Sequence, residues 1–168
     1  MTEKFKTLFP VKSSLISLYI ALTFPIPFIS SEDLKKTSLS FFILGLFLII
    51  SITSDYVETC EKKISFKTSL ISRVLGKKNW EILWEEIKYI KSLPTSQGSK
   101  VFYFIDEKGE NLLVPQRLDN FDVFLDKIQK KTNIKTEAIN YISPLWTYKL
   151  LTCISVLMII GEIILFMV

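Results

Sequence analysis

Two stretches of this chain carry no charged side chain, and a third carries almost none. Ser13 to Ser31, "SSLISLYIALTFPIPFISS", and Thr37 to Ser54, "TSLSFFILGLFLIISITS", hold none, and Leu150 to Val168 holds Glu162 alone. A helix of about 20 apolar residues crosses a bilayer, and lipid admits only structures that satisfy their own backbone groups. The pattern predicts three transmembrane helices. Two form an N-terminal hairpin over about 13–31 and 37–54, joined by the polar loop "EDLKK" at 32–36, and the third occupies 144–168. Pro25 and Pro27 remove backbone donors near the end of the first span, so that end should kink or unwind. A cleaved signal peptide is the alternative for this segment, but "PFISSED" is a poor cleavage site, which favours an uncleaved anchor.

Charge placement sets the expected orientation. Lys4, Lys6 and Lys12 precede the first span, Lys62, Lys63 and Lys67 follow the second, and Lys149 opens the third beside Trp146 and Tyr148. Between the first two spans Lys35 and Lys36 are balanced by Glu32 and Asp33. The positive-inside rule then assigns the basic N-terminal tail and the polar middle of the chain to the cytoplasmic side, or to the stromal side of a thylakoid.

Residues 55–143 hold 15 Lys/Arg and 13 Asp/Glu, an ordinary soluble surface. The runs "YVETCE", "KISFKTSLISRVL", "NWEILW", "IKYIKSL", "KVFYFID" and "NLLV" are rich in β-branched and aromatic residues, which suits strands. Turn-type clusters separate them, and "DEKGE" reads as a hairpin with Gly109 at positive φ. Period-two alternation puts Trp80, Ile82 and Trp84 on one core-facing side. Lys88 and Lys91, being charged, are expected outside for polar contact. Phe121, Phe124, Leu125 and Ile128 fall at i, i+3, i+4 and i+7, one stripe of a helix over about 119–131 with Asp119 or Asn120 as its cap. The expected fold class is therefore an α+β membrane protein: three transmembrane helices and a small antiparallel β-barrel or sheet closed by one amphipathic helix.

The pattern of Ile82, Trp84, Ile87, Ile90, Gly109, Pro115, Phe121 and Ile128 resembles the pleckstrin-homology-like (PH-like) domains of bacterial membrane proteins. That resemblance implies a PH-like domain over 55–143, beside a transmembrane pair. The stretch "GKKNWEILWEEIKYI" is similar to a region of the photosystem I assembly protein family of cyanobacteria and plastids, which also has two N-terminal spans. The third span from Pro144 departs from that family.

Chemistry is sparse. The chain has no histidine, which removes the commonest general base and transition-metal ligand. Cys60 and Cys153 fall in a polar and an apolar segment, and no metal-ligand spacing or phosphate-binding glycine loop occurs. Neither catalysis nor a cofactor is expected. The formal net charge of +4 is too modest to imply nucleic acid.

Lys62, Lys63, Lys67, Arg73, Lys77 and Lys78 concentrate positive charge early in the domain and, with Lys88 and Lys91, are candidate contacts for a protein partner or anionic lipid. A merely solvated strand face is the bland alternative. An ionisable side chain costs roughly 2.5–3.5 kcal/mol at a helix centre and much less near the interface; Glu162, six residues before Val168, is open to either placement. With the small Gly161 beside it, it is a candidate intramembrane contact. The sequence thus points to a non-catalytic docking module, an assembly factor or accessory subunit of a membrane complex. The competing classes are an anionic-lipid sensor and a minor transporter component.

Overall fold

A computed structural model describes residues 2–167. The chain opens with β1 (Glu3–Lys6), α1 (Phe9–Thr23), α2 (Ile26–Ile29) and α3 (Glu32–Ile52). Then follow β2 (Tyr56–Thr59), β3 (Lys63–Lys67), α4 (Leu70–Val74) and β4 (Trp80–Leu83). A 3-10 turn at Trp84–Glu86 leads to β5 (Tyr89–Pro94), β6 (Lys100–Ile105), β7 (Asn111–Leu113), α5 (Phe121–Thr132) and α6 (Leu145–Met167). Two compact units result: the residues up to Leu8 with Ser54–Ser143, and Phe9–Thr53 with the residues from Pro144 onward.

The first unit contains two antiparallel sheets, ordered β1-β2-β3-β4 and β5-β6-β7. Its core draws on both: Val57, Ile64, Phe104 and Val114 are fully buried with Phe121, Phe124 and Ile128 of α5. The stripe read from the sequence is the buried face of α5, since Phe121, Phe124, Leu125 and Ile128 are all buried. Alternation along β4 and into the 3-10 turn is also as expected: Ile82 and Trp84 are buried and Trp80 packs against the core. Trp84 keeps its indole N–H satisfied by donating to the Cys60 carbonyl at 2.9 Å. Gly109 turns the β6–β7 hairpin at φ +80°.

Several expectations give way. Residues 3–6 are not a tail. Phe5 pairs with Val57 across β1 and β2 and is buried, so the hairpin over 9–53 is an insertion between two neighbouring strands of one sheet. "KISFKTSLISRVL" is a strand only as far as Lys67. Ser69 then accepts a hydrogen bond from Ser72 N at 3.1 Å and starts α4, because a serine hydroxyl satisfies an orphan N–H at a helix start. The sheets do not close into a barrel: among the described residues no ladder joins β4 to β5, where the 3-10 turn carries the chain from one sheet to the other. Asn120 occupies the α5 N-cap in a left-handed conformation without a side-chain cap bond, and Asp119 accepts from its N–H instead.

In the second unit three segments are long and apolar enough to cross a membrane: Phe9–Ile29, Glu32–Ile52 and Leu145–Met167. The first starts four residues earlier than expected, taking in Lys12. It breaks at Phe24–Pro25, where the prolines were expected to interrupt it. "EDLKK" is not a loop but the first turn of α3, where Glu32 and Asp33 meet the positive end of the helix. Helix α1 packs against α6 through small residues, Ser14 and Ala21 on one and Ser155 on the other, all almost fully buried, as close approach of helices in lipid favours. The Phe28 ring lies tilted against Phe166, ring centroids 5.1 Å apart. The C-terminal ends of the first and third long segments therefore meet, and the two run in parallel.

Candidate functional site

The basic residues singled out from the sequence separate into two groups. Lys62 and Lys63 lie at the β2–β3 turn, while Lys67 is at the far end of β3 and Arg73, Lys77 and Lys78 belong to the β3–β4 connection. Strand geometry puts the two ends of β3 about 13 Å apart. Lys88 precedes β5 and Lys91 lies on it, exposed on the other sheet. No single basic cluster forms.

Two of these lysines are committed within their own sheet. Glu81 stands opposite Ser65 in the β3–β4 register, which makes it the diagonal neighbour of both Lys63 and Lys67. Its carboxylate lies 3.1 Å from Lys63 Nζ and 3.9 Å from Lys67 Nζ. The Lys63 hydrogen bond and charge hold the Glu81 carboxyl below its ordinary range, with a smaller pull from Lys67.

The β3–β4 connection is a clamped loop. Thr68 donates twice to Asn79 Oδ1, from its N–H and its hydroxyl, each at 2.7 Å. Buried Asp55 accepts from Ser69 N at 2.9 Å and from Lys77 Nζ at 2.8 Å. Lys77 N and Gly76 N return to the Ser72 and Arg73 carbonyls, with Gly76 at φ +90° closing the end of α4. These bonds fix the base and leave the tip, Arg73 to Lys78, exposed. Arg73, Lys78 and Lys62 have no ion-pair partner among the described residues. Sequence reasoning took this segment for strand and so missed Leu70, Val74 and Leu75 at its surface. The signal was present in Ser69 followed by Gly76, a cap and a stop bracketing one helical turn or two.

In α6, nothing in the structure approaches the position a Cβ on Gly161 would take. Glu162 Oε2 is buried without a hydrogen-bond partner among the described residues, and Tyr148 Oη shares that condition. Among the described residues, no helix makes the close approach expected beside Gly161. Cys60 and Cys153 are free thiols. Among the described residues no group of three or more His, Cys, Asp or Glu side chains is placed to hold a metal ion.

Comparison with known proteins adds one relative. The chain is 25% identical over 154 residues to "Uncharacterized protein slr0269" of Synechocystis sp. (strain ATCC 27184 / PCC 6803 / Kazusa), a match that spans 88% of this chain and 77% of that protein. No family model matches the chain, and no solved structure matches it. The structure defines an α+β protein with two antiparallel sheets and three helices apolar enough to span a membrane.

Proposed function

We propose that this is a multi-pass membrane protein whose β-rich unit is a PH-like docking module, and that it acts without catalysis as an assembly factor or accessory subunit of a membrane protein complex. Four strands, then three, then one helix laid on the core is the order that supports the PH-like reading. Lysine placement supports a cytoplasmic or stromal position for the module. The cyanobacterial origin of the relative, with the resemblance to the photosystem I assembly family, favours a photosynthetic complex as partner.

The observation that carries the proposal is the threading of the chain. β1 ends at Lys6 and α1 begins at Phe9; α3 ends at Ile52 and β2 begins at Tyr56; only Pro144 separates Ser143 from α6 at Leu145. The module is thus held by three short connections to bilayer-length helices. Such a tether presents its surface to membrane neighbours at an effective concentration that a free domain does not reach. Glu162, with a buried oxygen unpaired among the described residues, supplies a polar group for a neighbouring helix.

Blue-native gels of gently solubilised membranes test the reading. The protein should migrate with a larger complex, and Glu162→Ala should weaken that association while the β-rich unit stays folded. A wild-type protein that runs alone overturns the assembly role.

A further inference from the structure

The β3–β4 connection carries the three most exposed large apolar side chains described in the β-rich unit. Val74 is 86% exposed, Leu70 73% and Leu75 64%. Single exposed leucines are ordinary, but three large apolar side chains on one short loop are not. Leu70 and Val74, four residues apart, share one face of α4. Ser72 on the opposite face is fully buried, so the apolar face is turned outward by the packing of the other.

Three further facts bear on what covers this face. The apolar tip is interleaved with cations, Arg73 between Leu70 and Val74 in sequence and Lys78 just beyond Gly76, and neither has an ion-pair partner among the described residues. The base of the loop is rigid, held by Asp55 and Asn79. Asp55 itself lies three residues after Ile52, the end of α3. An extended chain covers at most about 11 Å in three residues, so the residue that anchors the loop follows closely in the chain on a bilayer-length helix. Apolar tips with a cationic surround match the boundary between headgroups and acyl chains of an anionic membrane.

We propose that the Leu70–Lys78 loop is an interfacial wedge: Leu70, Val74 and Leu75 enter the headgroup region of the membrane the chain spans, and Arg73 and Lys78 bind its anionic lipids. This goes beyond docking to a complex. It rests only on the long apolar helices crossing a bilayer, and needs no protein partner.

The test uses the full chain in vesicles, with both native cysteines replaced (Cys60→Ser, Cys153→Ser) and an environment-sensitive fluorophore attached at position 74 (Val74→Cys) or, as the comparison, at exposed position 123 on α5 (Val123→Cys). Vesicles contain phosphatidylcholine, about 30% phosphatidylglycerol and a lipid carrying a shallow spin-label quencher. Quenching at position 74 should exceed that at 123 by at least about threefold, as interfacial burial requires. It should fall when phosphatidylcholine replaces the anionic lipid, and again with Arg73→Glu and Lys78→Glu together. Equal quenching at the two positions overturns the wedge and leaves the apolar tip to an acidic protein partner. Quenching at 74 that ignores lipid charge overturns the role given to Arg73 and Lys78. Flotation separates the premises: protein that fails to float with the vesicles contradicts membrane insertion, whereas protein that floats with position 74 unquenched contradicts the wedge alone.

Discussion

Lys77 Nζ lies 2.8 Å from Asp55 Oδ2, although 22 residues separate the two in the chain. The acid is the buried member, its side chain 6% exposed against 49% for the lysine. The half-exposed lysine is partly screened by water, whereas the acid is not. A buried carboxylate that also accepts from Ser69 N is part of the architecture. Asp55→Ala should therefore destabilise the β-rich unit by about 1–3 kcal/mol through the unsatisfied Ser69 N–H and the freed loop. Lys77→Glu should also destabilise it, by placing two acids together. Lys78→Glu should change stability by no more than about 0.5 kcal/mol, as an exposed site does. Urea unfolding followed by tryptophan fluorescence would distinguish them. Equal effects at 77 and 78 would count against the Asp55 clamp.

Phe5 ties the N-terminal strand to the closing helix. Its ring meets Phe124 edge-on at 5.3 Å, and Glu3 pairs with Lys127 of the same helix at 2.9 Å. Phe5→Ala should cost about 3–5 kcal/mol, the range for large aromatic truncations in a core. Thr7 Oγ1 donates to the Asp55 carbonyl at 2.9 Å, so the two ends of the inserted hairpin meet in the sheet. A chain with Thr7 spliced to Asp55 by a short flexible linker should keep the β-sheet circular-dichroism signal and a cooperative unfolding transition. The same chain lacking residues 2–7 should lose both. Cooperative unfolding without those residues would mean β1 is dispensable.

The elements with strong periodicity were legible and the short ones were not. Four apolar residues at helical spacing identified the buried face of α5, and alternation oriented Ile82 and Trp84, because each pattern repeats often enough to leave one solution. β1 offers a single apolar residue, Phe5, among charged neighbours; only its partner Val57, 52 positions away, makes it a strand. "ISFKTSLISRVL" has the composition of a strand, but Ser69 and Gly76 cut it into a strand and a helical turn. The basic residues were read as one set along the sequence. The hairpin sends them to opposite ends of β3, a consequence of pairing register that composition does not carry. Asp55 drew no notice because its two partners, Ser69 and Lys77, are assembled only by the fold.

Glu81 gives the first sheet a pH dependence. Its carboxyl is held below the ordinary value of 4.5 by Lys63 first, through a hydrogen bond and charge, and then by Lys67. A carboxyl whose folded pKa lies below its unfolded value adds stability above the unfolded value. That contribution disappears as pH falls through the folded value. Acid titration of the wild type against Glu81→Gln should show the variant lacking part of the loss of stability below pH 4.5. The exposed position of this pair keeps the difference small and sensitive to salt. Superimposable curves at low salt would show that the lysines do not hold the carboxylate.

Tyr19 and Gly45 fit α1 to α3. The Tyr19 hydroxyl donates to the Phe42 carbonyl at 2.9 Å, and its ring stacks on Phe42 at 5.8 Å. A Cβ on residue 45 would run into that ring and hydroxyl. Glycine is thus required here by proximity, since a helix accepts alanine more readily than glycine on backbone grounds. Gly45→Leu should separate the two helices and lower the thermal stability of the detergent-solubilised protein. Tyr19→Phe keeps the ring and loses only the hydrogen bond, worth about 0.6 kcal/mol on average between membrane helices. Tyr19→Ala should open the space into which a leucine at 45 would project, so the double variant should be more stable than the sum of the two single losses. Additive losses, or a Gly45→Leu protein as stable as the wild type, would mean that the contact between Tyr19 and Gly45 does not set the spacing of the hairpin.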